Sequence, residues 1–226
     1  MTAVVFEAAK VKALLFDLDG TLIDSTQDIA ESANFLRMSL SLAPLPQAEI
    51  AAFIGDGVEK LVARLLGPDF QGDLDVEVKR FKAHYREHCV DHTRMYAGVE
   101  ETLRLLAARG YKMAVVTNKP ERISATILER LGVAGLFGSV VGGNSTSNKK
   151  PHPDPLRKAC RDLRVTEAES CMIGDSHVDV ESAFNAGLPS LALLGGIGDD
   201  RKMLEQKPSV VLEEFSQLSQ LFLKGA

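Results

Sequence analysis

The chain has 226 residues, of which 45% are hydrophobic and 25% charged, and its formal net charge is −5. This length suffices for one large domain or two smaller ones. The negative charge gives no general attraction to nucleic acid or to an anionic membrane, so we expect neither as a partner. An acidic protein that handles an anion must neutralise it locally, with a metal ion or a few placed cations.

The three cysteines, Cys89, Cys160 and Cys171, are far apart in the sequence and form no CxxC motif. They predict free thiols in a reducing compartment. The N-terminal stretch lacks the pattern of a signal peptide, and no apolar run reaches membrane-spanning length. We therefore expect a soluble cytoplasmic protein. The sequence leaves open whether it is a monomer or a homodimer.

The first predicted strand, Ala13–Phe16, runs directly into Asp17-Leu18-Asp19-Gly20-Thr21. Residues two apart in an extended segment face the same side, so the two carboxylates are expected to be close. Their titrations then couple, and the pair can supply an anionic nucleophile beside a proton donor. Taken alone, the pattern is equally compatible with an Asx turn.

Residues 25–96 read as a helical block without a convincing strand. Proline and glycine pairs separate four predicted helices, at Thr26–Leu42, Gln47–Phe53, Val58–Leu66 and Leu74–Val90. A helical block inserted after the first strand predicts a second domain over the sheet. The expected boundaries are 1–24 and 97–226 for the core and 25–96 for the helical domain.

The rest of the chain alternates strands with helices. Strands are predicted at Met113–Val116, Ser139–Val141, Cys171–Ile173 and Ser190–Leu194, and helices at Glu121–Leu131, Pro155–Leu163 and His177–Ala186. This alternation favours an α/β fold with a parallel sheet that is covered on both faces.

Two later strands also end in polar residues. One runs into Thr117-Asn118 and the other into Gly174-Asp175, with Asp179 shortly after. Ligands of an open parallel sheet bind at the carboxyl ends of its strands, so these side chains are expected around one crevice with Asp17. Carboxylate oxygens suit Mg²⁺, and Lys150, in a proline-stiffened loop, can hold a phosphoryl group.

Four segments resemble the four motifs of the haloacid dehalogenase-like hydrolase superfamily, and together they span almost the whole chain. They are Asp17-x-Asp19-Gly20-Thr21, Thr117-Asn118, Lys150-Pro151 and Gly174-Asp175-x-x-x-Asp179. The resemblance implies a Rossmann-like core with strand order 5-4-1-2-3 and a helical cap inserted after the first motif. It implies a Mg²⁺-dependent phosphatase in which Asp17 attacks phosphorus and Asp19 serves as acid and base. The implied phosphate ligands are Thr117, Asn118 and Lys150. The implied metal ligands are Asp17, the backbone carbonyl of Asp19, and Asp175, supported by Thr21, Gly174 and Asp179.

Within the superfamily, the chain looks most like phosphoglycolate phosphatases, which implies hydrolysis of 2-phosphoglycolate to glycolate and phosphate. The alternatives are a sugar-phosphate phosphatase and a phosphomutase similar to β-phosphoglucomutase. A second aspartate at position 19 argues against dehalogenation, since it supplies acid–base chemistry toward an alcohol. A non-catalytic protein that merely retains the fold has no need of the complete motif set.

Four residues of the helical domain are candidates for substrate recognition: Gly55, Gly57, Lys60 and Arg64. Arg64 can bind a carboxylate bidentately, and Lys60 lies one helical turn away. The alternatives are a solvated helix face for the two cations and a simple loop for the glycines. His84, His88 and His92 recur every four residues, a spacing that fits a surface stripe better than a metal site if the helix continues that far.

Overall fold

A six-stranded parallel sheet is the centre of the computed structural model, which describes residues 4–223. Residues 1–3 and 224–226 of the expected core lie outside the described residues. The six strands are β1 (Ala13–Phe16), β4 (Lys112–Val116), β5 (Ser139–Val141), β6 (Ser170–Gly174), β7 (Ser190–Leu193) and β8 (Val210–Leu212). A two-stranded ribbon of β2 (Ile23–Asp24) and β3 (Arg94–Met95) lies apart from it.

The strand order is β5-β4-β1-β6-β7-β8, with every neighbouring pair parallel. The expected order 5-4-1-2-3 is present within it as β5-β4-β1-β6-β7, read from the opposite edge and with the core strands counted in chain order: β4 and β5 lie on one side of β1, and β6 and β7 on the other. The five-strand expectation was incomplete, because β8 extends the sheet beyond β7. This strand, Val210–Leu212, has three apolar residues of which only the last is buried, and the sequence analysis did not single it out.

The central strand β1 is buried along its whole length. Leu14 and Phe16 belong to one hydrophobic core, whereas Ala13 and Leu15 belong to another on the opposite face. Alternating residues of a strand point to opposite faces, so a continuous apolar run fits a sheet that is covered on both sides.

Six helices flank the sheet: α5 (Val99–Ala108), α6 (Glu121–Arg130), α7 (Asp154–Leu163), α8 (His177–Ala186), α9 (Asp200–Glu205) and α10 (Gln217–Leu223). Residues of α5, α6 and α10 pack in the core that contains Phe16. Residues of α7 and α8 pack in the core that contains Leu15. The predicted helices α6, α7 and α8 are found within one residue of their expected ends.

Between the ribbon strands lies a four-helix unit of α1 (Thr26–Ser39), α2 (Gln47–Ala51), α3 (Val58–Leu66) and α4 (Leu74–His88). The helix α1 packs on the other three, and α3 packs on α4. All four helices were predicted, but α1, α2 and α4 end two or three residues earlier than expected. Helix ends are the least certain part of such a prediction.

The ribbon joins the two crossings of the chain between the sheet and the four-helix unit. Ile23 pairs with Met95 and Asp24 with Arg94, antiparallel. The expectation of no strand between residues 25 and 96 was therefore wrong at Arg94–Met95. A two-residue strand carries no recognisable period, and its partner is distant in sequence.

The early end of α4 also separates the three histidines. His84 stacks on His88, with ring centroids 4.5 Å apart, whereas His92 lies beyond the helix and approaches Glu31. The stripe is therefore limited to His84 and His88.

All three cysteines are buried free thiols. None of the helices between residues 4 and 223 combines the length and the apolar character that a bilayer crossing requires.

Candidate active site

Asp17 stands at the carboxyl end of the central strand. Its N–H donates to the carbonyl of Ile173, 2.9 Å away, which extends the pairing with β6 by one residue. The Nζ of Lys150 lies 3.0 Å from Oδ1 of Asp17 and 2.6 Å from Oδ1 of Asp179. Since the Lys150 side chain is only 1% exposed, its charge is directed at these two carboxylates.

Burial raises the pKa of Asp17 to about 7. Lys150 opposes this change, while the charges of Asp179 and Asp175 add to it. Burial also raises the pKa of Asp175 to about 6, again with Asp179 adding, although a hydrogen bond from Thr21 opposes it. The cluster therefore carries more negative charge than its one close lysine compensates.

The acid cluster fits a hard divalent cation. Asp17, Asp175 and Asp179 each offer a carboxylate oxygen, and these oxygens lie within 4.8 Å of one another. Magnesium prefers such oxygen ligands and usually retains waters beside them. Burial is the main cause of the raised pKa values of Asp17 and Asp175, and a cation held by these carboxylates would favour their ionised forms.

Asp175 is held firmly by its surroundings. Its Oδ1 accepts a hydrogen bond from Thr21 Oγ1 at 2.7 Å, and its Oδ2 accepts from the N–H groups of Ile197 and Gly198 at 2.9 and 3.0 Å. A Cβ on Gly20 would lie 2.0 Å from Asp175 Oδ2. The glycine of the first motif therefore allows the β1 turn to approach the Asp175 carboxylate.

Asp179 positions the lysine. Its Oδ2 accepts from the Ser176 N–H at 3.1 Å and the Ser176 hydroxyl at 2.6 Å, as in a helix capping box. Its Oδ1 is then directed at Lys150. A Cβ on Gly174 would lie 2.3 Å from the Asp179 carboxyl carbon, so this site requires glycine there.

Thr117 and Asn118 follow β4, next to β1. Thr117 is buried, and its N–H donates to the Val141 carbonyl at 2.9 Å. The Asn118 side-chain amide donates to the carbonyls of Gly55 at 2.9 Å and Lys150 at 3.0 Å. Its amide nitrogen thus links the four-helix unit to the Lys150 loop, a role that the sequence did not suggest.

Asp19 has a partner that the sequence analysis missed. Both of its carboxylate oxygens contact Nζ of Lys119, at 2.6 and 2.9 Å, and Oδ1 also accepts from Ser25 Oγ at 2.5 Å. The Lys119 side chain is 5% exposed, and its Nζ lies 4.7 Å from the centre of the Tyr85 ring in α4. A lysine two residues beyond Thr117, at the same sheet edge, was the available signal.

A cavity of about 60 Å³ lies between the strand ends and the four-helix unit. Its polar lining includes Asp17, Asp19, Thr117 and Lys119. Its apolar lining is larger and comprises Ile29, Phe53, Ile54, Val58, Leu61, Phe81, Pro120 and Ile123. By comparison with the space that one water needs, this volume corresponds to a few water molecules.

The candidate recognition residues of the four-helix unit divide into two pairs. Gly55 and Gly57 line the cavity. Arg64 instead contacts the Asp56 carboxylate and donates to the Phe53 carbonyl at 3.1 Å, while Lys60 Nζ lies 3.8 Å from the same carboxylate. The structure thus brings the glycines, but not the two cations, to the cavity beside Asp17.

The fold and this site together define an α/β enzyme that acts at the carboxyl edge of a parallel sheet. The family model described as haloacid dehalogenase-like hydrolase matches residues 14–193, and the chain belongs to this family. The chain is 39% identical over 194 residues to a phosphoglycolate phosphatase from Chromobacterium violaceum, covering 84% of this chain and 87% of that protein.

A phosphoglycolate phosphatase from Nitrosospira multiformis is 34% identical over 221 residues, covering 96% of this chain and 97% of its own. The crystal structure of a predicted phosphoglycolate phosphatase from Haemophilus somnus superposes with a TM-score of 0.86 at 29% identity, covering 94% of this chain and 98% of that one. The family match and these relatives identify the chain as a phosphoric monoester hydrolase that acts on a small phosphorylated substrate.

Proposed function

We propose that the protein hydrolyses 2-phosphoglycolate to glycolate and phosphate, with Mg²⁺, through a phospho-aspartate on Asp17. The observation that carries the proposal is the Asp17 carboxylate, held 3.0 Å from Lys150 beneath a small, mainly apolar cavity. The names of the relatives support the substrate.

In this mechanism, the Asp17 carboxylate attacks the phosphorus of the bound ester. Lys150 and Thr117 hold oxygens of the phosphoryl group, which balances charge and keeps the group in line with Asp17. Asp19 donates a proton to the leaving oxygen, then takes a proton from the water that hydrolyses the acyl phosphate. Asn118 contributes chiefly by fixing the Lys150 loop, through its bond to the Lys150 carbonyl.

Asp17, the backbone carbonyl of Asp19, and Asp175 would hold Mg²⁺, with Thr21, Gly174 and Asp179 keeping these ligands in position. When bound, the ion supplies positive charge that offsets the repulsion between the aspartate and the phosphate dianion. The raised pKa values of Asp17 and Asp175 support this need for a cation.

We also propose that residues 25–96 act as a cap on the catalytic core formed by 1–24 and 97–226. The chain passes between the core and the four-helix unit twice, along β2 and along β3. Within residues 4–223, these two strands pair with each other and with no other strand, and such a short ribbon suits a hinge. Closure over the strand ends excludes bulk water during the transfer to Asp17.

The two alternative activities both require a sugar phosphate. The apolar walls of the cavity, among them Phe53, Leu61 and Phe81, offer no partners to several sugar hydroxyls. Burying hydroxyls without partners is costly, so the cavity favours a small substrate with few hydroxyls.

The test is a comparison of 2-phosphoglycolate, hexose 1-phosphates and nucleoside monophosphates, with phosphate release as readout and hexose 6-phosphate formation as the sign of a mutase. EDTA should abolish activity and Mg²⁺ should restore it. Acid quenching during turnover should leave phosphate bound to Asp17, detectable by peptide mass spectrometry, and Asp17→Asn should fold but show neither turnover nor label. Near-normal turnover of that variant, or preferential conversion of a hexose phosphate, would refute the proposal.

A further inference from the structure

Lys119 and Tyr85 belong to none of the predicted site residues, yet both line the cavity. We infer that the Lys119 ammonium and the Tyr85 hydroxyl form a subsite that binds the carboxylate of the substrate, on the leaving-group side of Asp19. The inference rests on the proposed phosphatase function and adds the residues that recognise the acid group of the substrate.

Lys119 is one of two lysines that are buried in the described chain, the other being Lys150. Lys150 is held by two carboxylates, whereas Lys119 contacts one carboxylate, that of Asp19. A buried ammonium requires an anionic partner, and this one faces a cavity into which a second anion can enter.

Tyr85 supplies the independent observation. The residue is 3% exposed, and its hydroxyl has no hydrogen-bond partner among residues 4–223. Such an orphaned buried hydroxyl is costly unless something absent from the protein completes it. Because the Tyr85 ring lies 4.7 Å from Nζ of Lys119, a ligand held by the lysine meets the tyrosine as well.

The position of Lys119 defines the chemistry of the ligand. Its Nζ contacts both oxygens of Asp19, the group that faces the leaving oxygen in the proposed reaction. A carboxylate one carbon away from the ester oxygen therefore comes close to the ammonium. The small volume and apolar walls leave little room for a longer or more hydroxylated chain.

The other cations of this region are bound to acids of the four-helix unit, not to Asp19. Lys82 lines the rim but contacts Glu59 at 3.2 Å. Arg64 and Lys60, the candidates from the sequence, are directed at Asp56. The structure thus moves the expected carboxylate contact from α3 to the loop after β4 and to α4.

The experiment compares kcat/KM for two pairs of esters that differ only in the carboxylate: 2-phosphoglycolate against 2-hydroxyethyl phosphate, and 2-phospholactate against the phosphate ester of 1,2-propanediol at its secondary hydroxyl. The wild type should prefer the acid in each pair. Tyr85→Phe should reduce that preference about tenfold, and Lys119→Met by up to ~100-fold, since both remove a hydrogen bond to a charged group. Product inhibition by glycolate should weaken in parallel.

Tyr85→Phe is the decisive variant, because Lys119→Met also releases Asp19 and lowers turnover of every ester. Arg64→Ala is the matched control and should leave the acid preference unchanged. An unchanged preference in Tyr85→Phe and Lys119→Met, a loss in Arg64→Ala instead, or a wild type without acid preference would overturn the subsite. A wild type that prefers another acid ester to 2-phosphoglycolate retains the subsite and refutes only the proposed substrate.

Discussion

Lys150 Nζ lies between Asp17 and Asp179, 3.0 Å from one carboxylate and 2.6 Å from the other. Asp179 is in turn held by Ser176 at the start of α8. Asp17, the proposed nucleophile directly after β1, is thereby tied to the element that follows β6, and the tie passes through a single ammonium group.

Replacing Lys150 by Met should therefore affect both catalysis and stability. We expect kcat to fall by about 10²- to 10³-fold, because a preorganised cation at the phosphoryl group is lost. We expect a loss of about 3 kcal/mol in the free energy of unfolding, since the remaining buried carboxylates are uncompensated. Phosphate release and urea denaturation measure the two effects.

The control is Lys158→Met, which removes an exposed i,i+4 pair with Asp162 on α7. It should leave kcat unchanged and alter the free energy of unfolding by no more than ~0.5 kcal/mol. Wild-type kcat in Lys150→Met would contradict the assigned role of the lysine.

The raised pKa of Asp17 predicts a link between pH, Mg²⁺ and stability. The pKa of this carboxyl rises from 3.8 to about 7, chiefly through burial. Without metal, the folded protein keeps a proton that the unfolded chain has lost, so this contribution to stability is fully present below about pH 4 and disappears as the pH rises through about 7. Mg²⁺ requires the ionised carboxylates and should restore stability mainly at the higher pH.

The measurement is the Tm in EDTA and in Mg²⁺ between about pH 5 and about pH 8. The stabilisation by Mg²⁺ should widen with pH, by an amount on the order of a few kcal/mol. Asp17→Asn should flatten the metal-free dependence. An equal Mg²⁺ effect at both ends of the range would argue against ligation by this cluster.

Much of the core could be predicted from the sequence because its signals are local. Apolar runs that end at Asp17, Thr117 and Asp175 mark buried strands, and parallel strands place their carboxyl ends at one edge. The β2–β3 ribbon was missed because strands of two residues carry no period, and its two strands are distant in sequence. β8 is as short as the predicted strand β5 and was not singled out. The helix α5, at Val99–Ala108, was not singled out despite its apolar face.

The cavity side of the site was less predictable. Lys119 becomes significant only through Asp19, a hundred residues earlier, and through Tyr85 on the other side of the cleft. Arg64 looked like a substrate ligand because of its charge and position, but a nearby acid, Asp56, already binds it. Long-range pairing of charges depends on the tertiary fold and leaves no local pattern.

The glycine at position 20 provides a test of the packing around Asp175. Gly20 has φ +87°, and a Cβ there would meet both Asp175 Oδ2 at 2.0 Å and the Ile197 nitrogen at 2.8 Å. Gly20→Ala should therefore cost more than about 3 kcal/mol in the free energy of unfolding, from strained backbone plus overpacking. The Mg²⁺ affinity of the variant should fall as well, because the added Cβ displaces Asp175, a proposed ligand of the ion.

Gly132→Ala is the matched control for that variant, measured by the same denaturation and Mg²⁺ titrations. Gly132 has φ +74° and open space around its position, so only the backbone cost of about 1 kcal/mol is expected. If both variants lost the same free energy of unfolding, the close approach of Gly20 to Asp175 would not contribute to the cost of Gly20→Ala.

Glu59 offers the last test, because it joins the four-helix unit to the core. Its carboxylate contacts Lys149 of the core and, at 3.2 Å, Lys82 of α4. Partial burial opposes ionisation, but the hydrogen bonds from these lysines and the helix start outweigh it and lower the pKa of Glu59 to about 2. The stabilising contact is thus fully present above about pH 4.5 and is lost only as the pH falls through about 2.

Glu59→Gln should weaken this contact between the proposed cap and the core without disturbing the fold. We expect KM to rise about two- to fivefold, because the closed form that binds substrate becomes less populated. The free energy of unfolding should change by less than ~1 kcal/mol, since the pair is partly exposed. High salt should raise the wild-type KM in the same direction by screening the contact. Glu100→Gln, which removes a similar surface pair with Arg104 on α5, should leave KM unchanged, and an unaltered KM in Glu59→Gln would mean that closure does not depend on this contact.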